Sequence, residues 1–189
     1  MKESNLYKVL RPLIKVLTNL FFTPTYKGLE NIPKQNKTIL AGNHTGILDC
    51  FLLISSTKRN IHFLAKQELW QGPKRIIFAH LGLIPVKRDG KDQAALEMAK
   101  KYLEDNQVIG IFPEGTTEKG RGLLSFKIGA VKMAYDTKTT IVPFTIKGKY
   151  KLFSKDLVIE FDKPISIKKD LETENKKLRS IINQKLKEK

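Results

Sequence analysis

The sequence is poor in the residues that cross-link a chain or bind metals. Among 189 residues it has one cysteine, Cys50, and three histidines. A single cysteine excludes an internal disulfide framework and is typical of a reducing compartment. Cysteine and histidine nowhere cluster at the spacing of metal ligands, so we expect no metal and no resident cofactor. Cys50 lies in an apolar stretch, and we interpret it as a small buried hydrophobic residue rather than a nucleophile.

Long uncharged apolar runs are also absent. A transmembrane helix needs about 18 such residues, and the most apolar stretch, 5–22, is interrupted by Lys8, Arg11 and Lys15. This stretch lacks the apolar centre and cleavage site of a signal peptide. Its helical spacing predicts an amphipathic helix, which Pro12 should bend or delay. Two interpretations stay open: a helix lying in a membrane interface, which the broad apolar arc favours, and a helix facing the core.

Acidic residues are scarce relative to basic ones. The chain has 35 Lys and Arg against 19 Asp and Glu, a formal charge of +16. Such an excess favours a polyanionic partner, namely a nucleic acid, an anionic membrane surface, a phosphorylated substrate or an acidic carrier protein. The basic residues are scattered along the whole chain rather than clustered with aromatic residues. We therefore expect no nucleic-acid partner.

Short apolar runs alternate with helical patterns, and 41% hydrophobic residues are enough for a folded core. After a short strand at Tyr26, strands are predicted at 38–41, 61–65, 82–88, 108–112, 140–144 and 157–161. Helices are predicted after Asp49, over 68–80 with a start delayed by Gly72-Pro73, from a cap at Asp92, from a cap at Ser125 (with Ile128, Val131 and Tyr135 aligned) and from about Leu171. This alternation predicts a single α/β domain over 26–189, with a mostly parallel sheet flanked by helices, behind an N-terminal amphipathic membrane-interface helix within 1–25.

A histidine and an aspartate follow the predicted strand 38–41. His44 and Asp49 are five residues apart, at the end of a strand where open α/β sheets bind ligands. Such residues on a regular helix point about 140° apart. We therefore predict that His44 precedes the helix and that Gly46 lets the chain turn Asp49 back beneath it. A carboxylate on one ring nitrogen leaves the other able to accept a proton from a hydroxyl. A helix cap beside a structural histidine is an equally simple interpretation.

Further polar residues follow the other predicted strands. Lys66 ends the strand 61–65, Arg88 ends 82–88, and Glu114-Gly115-Thr116-Thr117 follows 108–112. In a parallel sheet these ends gather at one edge, where an arginine can bind phosphate through two hydrogen bonds and the loop offers hydroxyls and amides. Taken singly, Arg88 could be a surface cation and Glu114 a carboxylate at a helix start. His62 and His80 have no partner at catalytic spacing, and we interpret both as structural.

These blocks, in this order, resemble the PlsC-type glycerolipid acyltransferases, specifically the bacterial 1-acyl-sn-glycerol-3-phosphate acyltransferases. His44 and Asp49 match the family's His-x4-Asp motif. Segments 82–88 and 112–116 resemble its second and third blocks, which are assigned to the acceptor, and 141–144 resembles the fourth. Segments 27–33 and 125–130 are also family-like, and the resemblance covers about residues 1–165.

The resemblance implies transfer of a fatty acyl group from a thioester donor, acyl-CoA or acylated acyl carrier protein, to the hydroxyl of lysophosphatidate. The sequence does not distinguish these donors from an acyl phosphate. The product would be phosphatidic acid, for phospholipid biosynthesis. His44 would be the general base, and Asp49 would orient its ring. The implied mechanism needs no covalent intermediate. The resemblance implies that Arg88, Glu114, Gly115 and Thr116 bind the acceptor, and Lys66 and Thr117 are further candidate substrate-binding residues. The enzyme would be peripheral, on the anionic cytoplasmic face of the cell membrane.

One position departs from the family. Thr117 stands where the family often has an arginine, and Lys119 or Arg121 could supply the missing cation. An acyltransferase for another lysolipid therefore remains an alternative. A non-catalytic basic protein that binds membranes or nucleic acid is the other alternative. The presence of His44, Asp49, Arg88 and Glu114 argues against the inactive site that it requires.

Overall fold

A twisted, mostly parallel sheet organises the protein. The computed structural model describes residues 5–70, 74–87, 92–116 and 122–188. Within these residues the sheet has seven strands: β1 (Thr25–Lys27), β2 (Thr38–Gly42), β3 (Ile61–Lys66), β4 (Ile84–Val86), β5 (Val108–Ile111), β6 (Thr140–Lys147) and β7 (Val158–Phe161). Their order is β1-β7-β6-β2-β5-β3-β4, and every neighbouring pair is parallel except β6 and β7. The predicted sheet is confirmed.

Helices cover both faces of this sheet. They are α1 (Asn5–Phe22), α2 (Leu48–Ser56), α3 (Lys74–His80), α4 (Gln93–Glu104), α5 (Gly129–Asp136) and α6 (Leu171–Lys187). Side chains alternate along each strand, so Ile39 joins the core beneath α4, α5 and α6, while Leu40 joins the core beneath α1 and α2. The result is a three-layer α/β domain. It places β2 and β5 side by side in the middle of the sheet.

The helix α4 starts as predicted, and α5 does not. Asp92 Oδ1 accepts a hydrogen bond from Ala95 N at 3.1 Å, which caps α4. The predicted start at Ser125 is wrong, because α5 begins at Gly129 after a cap position without a side-chain hydrogen bond. Lys127 N donates to Pro113 O at 2.9 Å, so an amide that a cap at Ser125 would have bonded is paired with a distant carbonyl instead.

The predicted alignment along α5 is also wrong in part. Val131 is fully buried, but Ile128 and Tyr135 are 37% and 40% exposed. The buried face consists of Ala130, Val131, Met133 and Ala134. Small residues on that face let α5 lie close to the sheet, and the larger side chains remain outside.

Further elements differ in extent from the sequence prediction. The helix predicted over 68–80 is a 3₁₀ turn at Gln67–Trp70 followed by α3, which begins at Lys74, directly after the Gly72-Pro73 pair that was predicted to delay its start; 71–73 lie outside the described residues. The predicted strand 82–88 is shortened to β4, because Gly82 has φ +68° and belongs to the turn before it. Arg88 lies outside the described residues.

The N-terminal helix α1 packs one face on the domain. Tyr7 is buried, its hydroxyl accepting a hydrogen bond from Ile61 N at 3.2 Å, and Arg11 donates to Thr57 O at 3.2 Å. The helix runs unbroken through Pro12, so the predicted delay is wrong: the helix has already started when the proline occurs. None of the described helices is long and apolar enough to cross a membrane.

Candidate active site

The carboxyl end of β2 brings His44 and Asp49 together. His44 lies two residues after β2, and Asp49 is the second residue of α2. His44 Nδ1 is 2.8 Å from Asp49 Oδ2. The chain therefore turns between them as the five-residue spacing predicts. Because Nδ1 is engaged by the carboxylate, Nε2 is the nitrogen that can accept a proton.

Five hydrogen bonds surround the buried carboxylate of Asp49. Besides His44 Nδ1, the donors are Thr45 N at 2.5 Å, Thr45 Oγ1 at 2.8 Å, Gly46 N at 3.0 Å and Tyr150 OH at 2.6 Å. Burial by itself raises the pKa of Asp49, but the hydrogen bonds, led by those from His44 and Tyr150, outweigh it and hold the pKa below its usual value. The carboxylate is charged at neutral pH.

The carboxylate also sets the shape of the turn. The prediction that the turn needs the backbone freedom of glycine is wrong, because Gly46 is not among the residues with positive φ. A Cβ added at Gly46 would meet no atom within 4 Å. The amides of Thr45 and Gly46 both point at Asp49, so the turn closes by collecting donors around one charge.

Phe112 fixes the plane of the His44 ring. The two rings are stacked, with centroids 4.0 Å apart and planes inclined by 16°. Phe112 in turn meets Phe144 edge-on at 5.8 Å in the core. The His44 side chain is only 17% exposed, so one part of the ring is accessible and the rest is packed. The Asp49 carboxylate therefore sets the tautomer of His44, and the contact with Phe112 sets the orientation of its ring.

Glu114 braces the loop that carries His44. Its Oε1 accepts from His44 N at 2.9 Å, and its Oε2 accepts from Leu124 N at 3.0 Å. The interpretation as a carboxylate at a helix start is wrong, because Glu114 lies inside a turn closed by a hydrogen bond from Gly115 N to Phe112 O, and no helix begins at the two residues that follow. Both carboxylate oxygens are bonded to main-chain amides of this protein.

Among the other predicted binding residues, Lys66, Gly115 and Thr116 lie at strand ends along the same edge. Gly115 has φ +68°, and a Cβ there would come within 3.1 Å of Lys127 Nζ, so this lysine lies across the glycine. Thr116 follows it, and Lys66 is exposed at the end of β3. Thr117, like Arg88, lies outside the described residues. Three strand spacings, about 14 Å, separate β2 from β4, which leads to Arg88.

Sequence reasoning missed Tyr150, which is 101 residues from Asp49. It also missed Asn43, which bonds Ile146 O at 2.9 Å and Ile146 N at 2.8 Å and so ties the end of β2 to β6. No local pattern marks either residue, because both act through contacts with distant segments. Only the structure could find them.

The remaining histidines and the cysteine were predicted to be structural. His62 is buried, with Nδ1 at 2.8 Å from Gly82 O and its ring stacked on Tyr102, and burial lowers its pKa to about 4. The prediction for His62 is confirmed. The side chain of His80 lies outside the described residues. Burial, and then the charge of Asp49, raises the pKa of Cys50 to about 12, so it remains a thiol.

Comparison with known proteins places this site in context. The model of the acyltransferase family matches residues 23–147. The chain is similar to a 1-acyl-sn-glycerol-3-phosphate acyltransferase of Borreliella burgdorferi, 34% identical over 170 residues, covering 84% of this chain and 68% of that protein. A Bacillus subtilis protein of the same name is 28% identical over 145 residues, covering 76% of this chain and 72% of its own.

A longer relative and a solved structure are also similar to this chain. A chloroplastic 1-acyl-sn-glycerol-3-phosphate acyltransferase of Arabidopsis thaliana is 32% identical over 150 residues, covering 74% of this chain and 41% of that protein. The crystal structure of the 1-acyl-sn-glycerophosphate acyltransferase PlsC from Thermotoga maritima has a TM-score of 0.78 at 22% identity, covering 98% of this chain and 81% of that one. At this identity the likeness is one of fold.

Proposed function

This chain belongs to the acyltransferase family, and we propose that it transfers a fatty acyl group from a thioester donor to the free hydroxyl of 1-acyl-sn-glycerol-3-phosphate. The product is phosphatidic acid, made for phospholipid biosynthesis. The observation that carries this proposal is the buried, charged Asp49 at 2.8 Å from Nδ1 of a partly accessible His44. Acyl transfer to a hydroxyl needs a base of this kind.

In the proposed mechanism His44 moves one proton. Its Nε2 takes the proton from the acceptor hydroxyl as the oxygen attacks the thioester carbonyl. Asp49 holds the Nδ1 proton in place and stabilises the imidazolium that forms. When the tetrahedral intermediate collapses, the C–S bond breaks and the thiolate takes the proton from His44. The cycle needs no covalent acyl-enzyme, and acyl-CoA or acyl carrier protein serves as the donor.

The acceptor phosphate is proposed to bind along the edge that begins at His44. Lys66 ends β3, Lys87 follows β4, and Lys127 lies across Gly115. Arg88 comes next after Lys87 and adds a guanidinium that matches phosphate oxygens in a planar fork. With Thr117 in place of the family's arginine, these cations carry the recognition of the phosphate.

The outer face of α1 supports a site at the membrane surface. Its apolar side chains repeat at helical spacing and are exposed by 42% to 67%; they are Val9, Leu13, Val16, Leu17 and Leu20. Tyr7 and Thr18 lie on the opposite, packed face. We propose that this stripe enters the interface of an anionic leaflet, on the cytoplasmic face of the cell membrane. The charge of +16 strengthens the attachment, at about 1 kcal/mol for each basic residue near the surface.

An assay of purified protein tests the proposed reaction. Lysophosphatidate and lysolipids with other head groups are offered in mixed vesicles, each with acyl-CoA and with acyl carrier protein as donor. We expect phosphatidic acid as the main product with wild-type protein and none with His44→Ala. Faster acylation of a lysolipid without a phosphomonoester would replace the proposed acceptor, and no transfer to any acceptor would reject the proposal.

A further inference from the structure

A tyrosine from a distant loop contacts the dyad from the side opposite His44. Asp49 Oδ2 faces His44, whereas Oδ1 accepts a hydrogen bond from Tyr150 OH at 2.6 Å. The other donor to Oδ1 is Thr45 Oγ1, a neighbour on the same turn. Tyr150 is therefore the donor that ties this carboxylate to a different part of the chain. The proposed mechanism above does not require it.

Tyr150 lies in the loop 148–157 between β6 and β7, and this loop is attached to the end of α1. Phe153 N donates to Phe21 O at 2.6 Å, and their rings are 6.1 Å apart. Thr23 Oγ1 donates to Ser154 O at 2.6 Å. The three contacts make the loop and the carboxyl end of α1 one packed unit.

The ring of Tyr150 is held by the same helix. Phe22, the last residue of α1, meets it edge-on with ring centroids 5.4 Å apart. At the start of the loop, Gly148 has φ +84°, and a Cβ there would overlap Asp156 O, so the loop closes tightly on itself. The end of α1 is thus in direct contact with the Tyr150 ring and with the loop that carries it.

The hydroxyl of Tyr150 donates at every working pH. Burial first, and then the charge of Asp49, raises the pKa of Tyr150 far above its usual value. The other titratable side chains beside this pair are His44, Cys50 and Tyr26, and burial raises the pKa of both Cys50 and Tyr26 to about 12.

We propose that Tyr150 is a positioning residue of the His44–Asp49 dyad, and that α1, through Phe22, holds it in place so that the seating of the membrane-facing helix controls acyl transfer. The inference rests on the proposed function. Without the Tyr150 hydroxyl, Oδ1 keeps its bond from Thr45 Oγ1, but the carboxylate, and with it the His44 ring, is less firmly fixed in orientation. The same loss makes Asp49 more basic, which strengthens its hold on the His44 proton.

Tyr150→Phe removes the hydroxyl, and Tyr102→Phe is the matched control. Tyr102 is also buried, but on the other face of the sheet, with its ring stacked on His62. For Tyr150→Phe we expect kcat to fall about tenfold or more, KM to stay within about twofold of wild type, and the acid limb of kcat to move to higher pH. Tyr102→Phe should leave the profile in place. A Tyr150→Phe profile superimposable on that of wild type would overturn the proposal.

A double-mutant cycle tests the connection to α1. Phe22→Leu should lower kcat in the wild-type background and add almost nothing to Tyr150→Phe, because both changes act through one contact. Leu13→Ala changes the exposed face of the same helix, and its effect on kcat should be additive with that of Tyr150→Phe. Additive losses for Phe22 and Tyr150 would show that the helix does not act through the tyrosine. Thermal unfolding of each variant separates these effects from lost stability.

One measurement is independent of the substrate. The titration of His44 is followed by NMR in wild type and Tyr150→Phe, with the His44→Ala spectrum assigning its signals among the three histidines. We expect the His44 midpoint to rise in Tyr150→Phe, whichever lysolipid the enzyme uses. An unchanged midpoint rejects the positioning role even if acyl transfer is confirmed. A raised midpoint in a protein that transfers no acyl group rejects the proposed function alone.

Discussion

Glu114 holds His44 by its backbone, with Oε1 at 2.9 Å from the His44 amide nitrogen. The second oxygen holds Leu124 N, so one carboxylate joins the loop after β2 to the segment before α5. A charged acceptor bonded to two amides stabilises both segments. Glu114, which the resemblance assigns to acceptor binding, therefore also holds the backbone of His44 in place.

Glu114→Gln tests which of these roles dominates. The amide keeps one acceptor oxygen and turns a donor toward a backbone N–H, so we expect a loss of about 1–3 kcal/mol in the free energy of unfolding. If Glu114 mainly holds the His44 backbone in place, we also expect a lower kcat with little change in the KM for the acceptor. Chemical denaturation and steady-state kinetics measure both. A raised KM with unchanged stability would instead mean that Glu114 binds the acceptor directly.

His44→Ala should remove acyl transfer and little else. General-base catalysis contributes about 10²–10⁴-fold, so we expect at least that loss in kcat. The side chain is partly accessible and its backbone contact with Glu114 remains, so folding and vesicle binding should stay near wild type. Thermal unfolding and vesicle sedimentation check this. Near-wild-type turnover would exclude His44 as the base.

The exposed face of α1 should control membrane binding without affecting the fold. Val9, Leu13 and Val16 are exposed by 67%, 51% and 61%, so replacing all three by serine should leave thermal unfolding unchanged. Sedimentation with anionic vesicles should fall sharply, because each fully buried apolar side chain contributes about 1.5–3 kcal/mol. Activity on a short-chain soluble acceptor should survive. Vesicle binding equal to that of wild type would reject the interfacial role.

Removal of residues 1–22 is expected to give a different result. Tyr7 is buried and bonds Ile61 N, and Arg11 bonds Thr57 O, so the truncated protein loses core contacts as well as the apolar stripe. We expect a lower unfolding temperature for the truncation and not for the triple serine variant. An equally stable truncation would mean that the packed face of α1 contributes little.

Arg88→Ala should cost at least about tenfold in kcat/KM toward lysophosphatidate. A lysine should rescue it only in part, because it keeps the charge and loses the planar fork. Kinetics on lysophosphatidate and on a lysolipid with a neutral head group provide the comparison. An equal loss on both would assign Arg88 to the fold or the donor instead of the acceptor phosphate.

Two loop glycines should respond in opposite ways to alanine. Gly115 has φ +68°, and its Cβ would press on Lys127, so Gly115→Ala should destabilise the protein by about 1–2 kcal/mol. Gly46 lacks positive φ and has open space around it, so Gly46→Ala should leave stability unchanged. Urea denaturation measures both. Equal destabilisation would mean that the turn between His44 and Asp49 requires glycine at position 46.

Local patterns were enough to predict much of the site. The alternation of apolar runs and helical patterns predicts the parallel sheet, and a five-residue spacing after a strand predicts that His44 and Asp49 meet. Both rest on interactions within a few residues, where the geometry of a strand, a turn and a helix leaves few alternatives. The prediction that α5 starts at Ser125 was wrong for the opposite reason, because Lys127 N is bonded to Pro113 O, which lies outside the segment.

The sequence alone thus determined the fold class and the dyad, and the tertiary structure decided how the dyad is held. Tyr150 reaches Asp49 across 101 residues, and Glu114 reaches His44 across 70. The two open interpretations of α1 apply to opposite faces: one packs on the core and the other is apolar and exposed. Such pairings depend on which strands become neighbours, and strand order follows from burying the whole set of apolar faces together rather than from any single stretch.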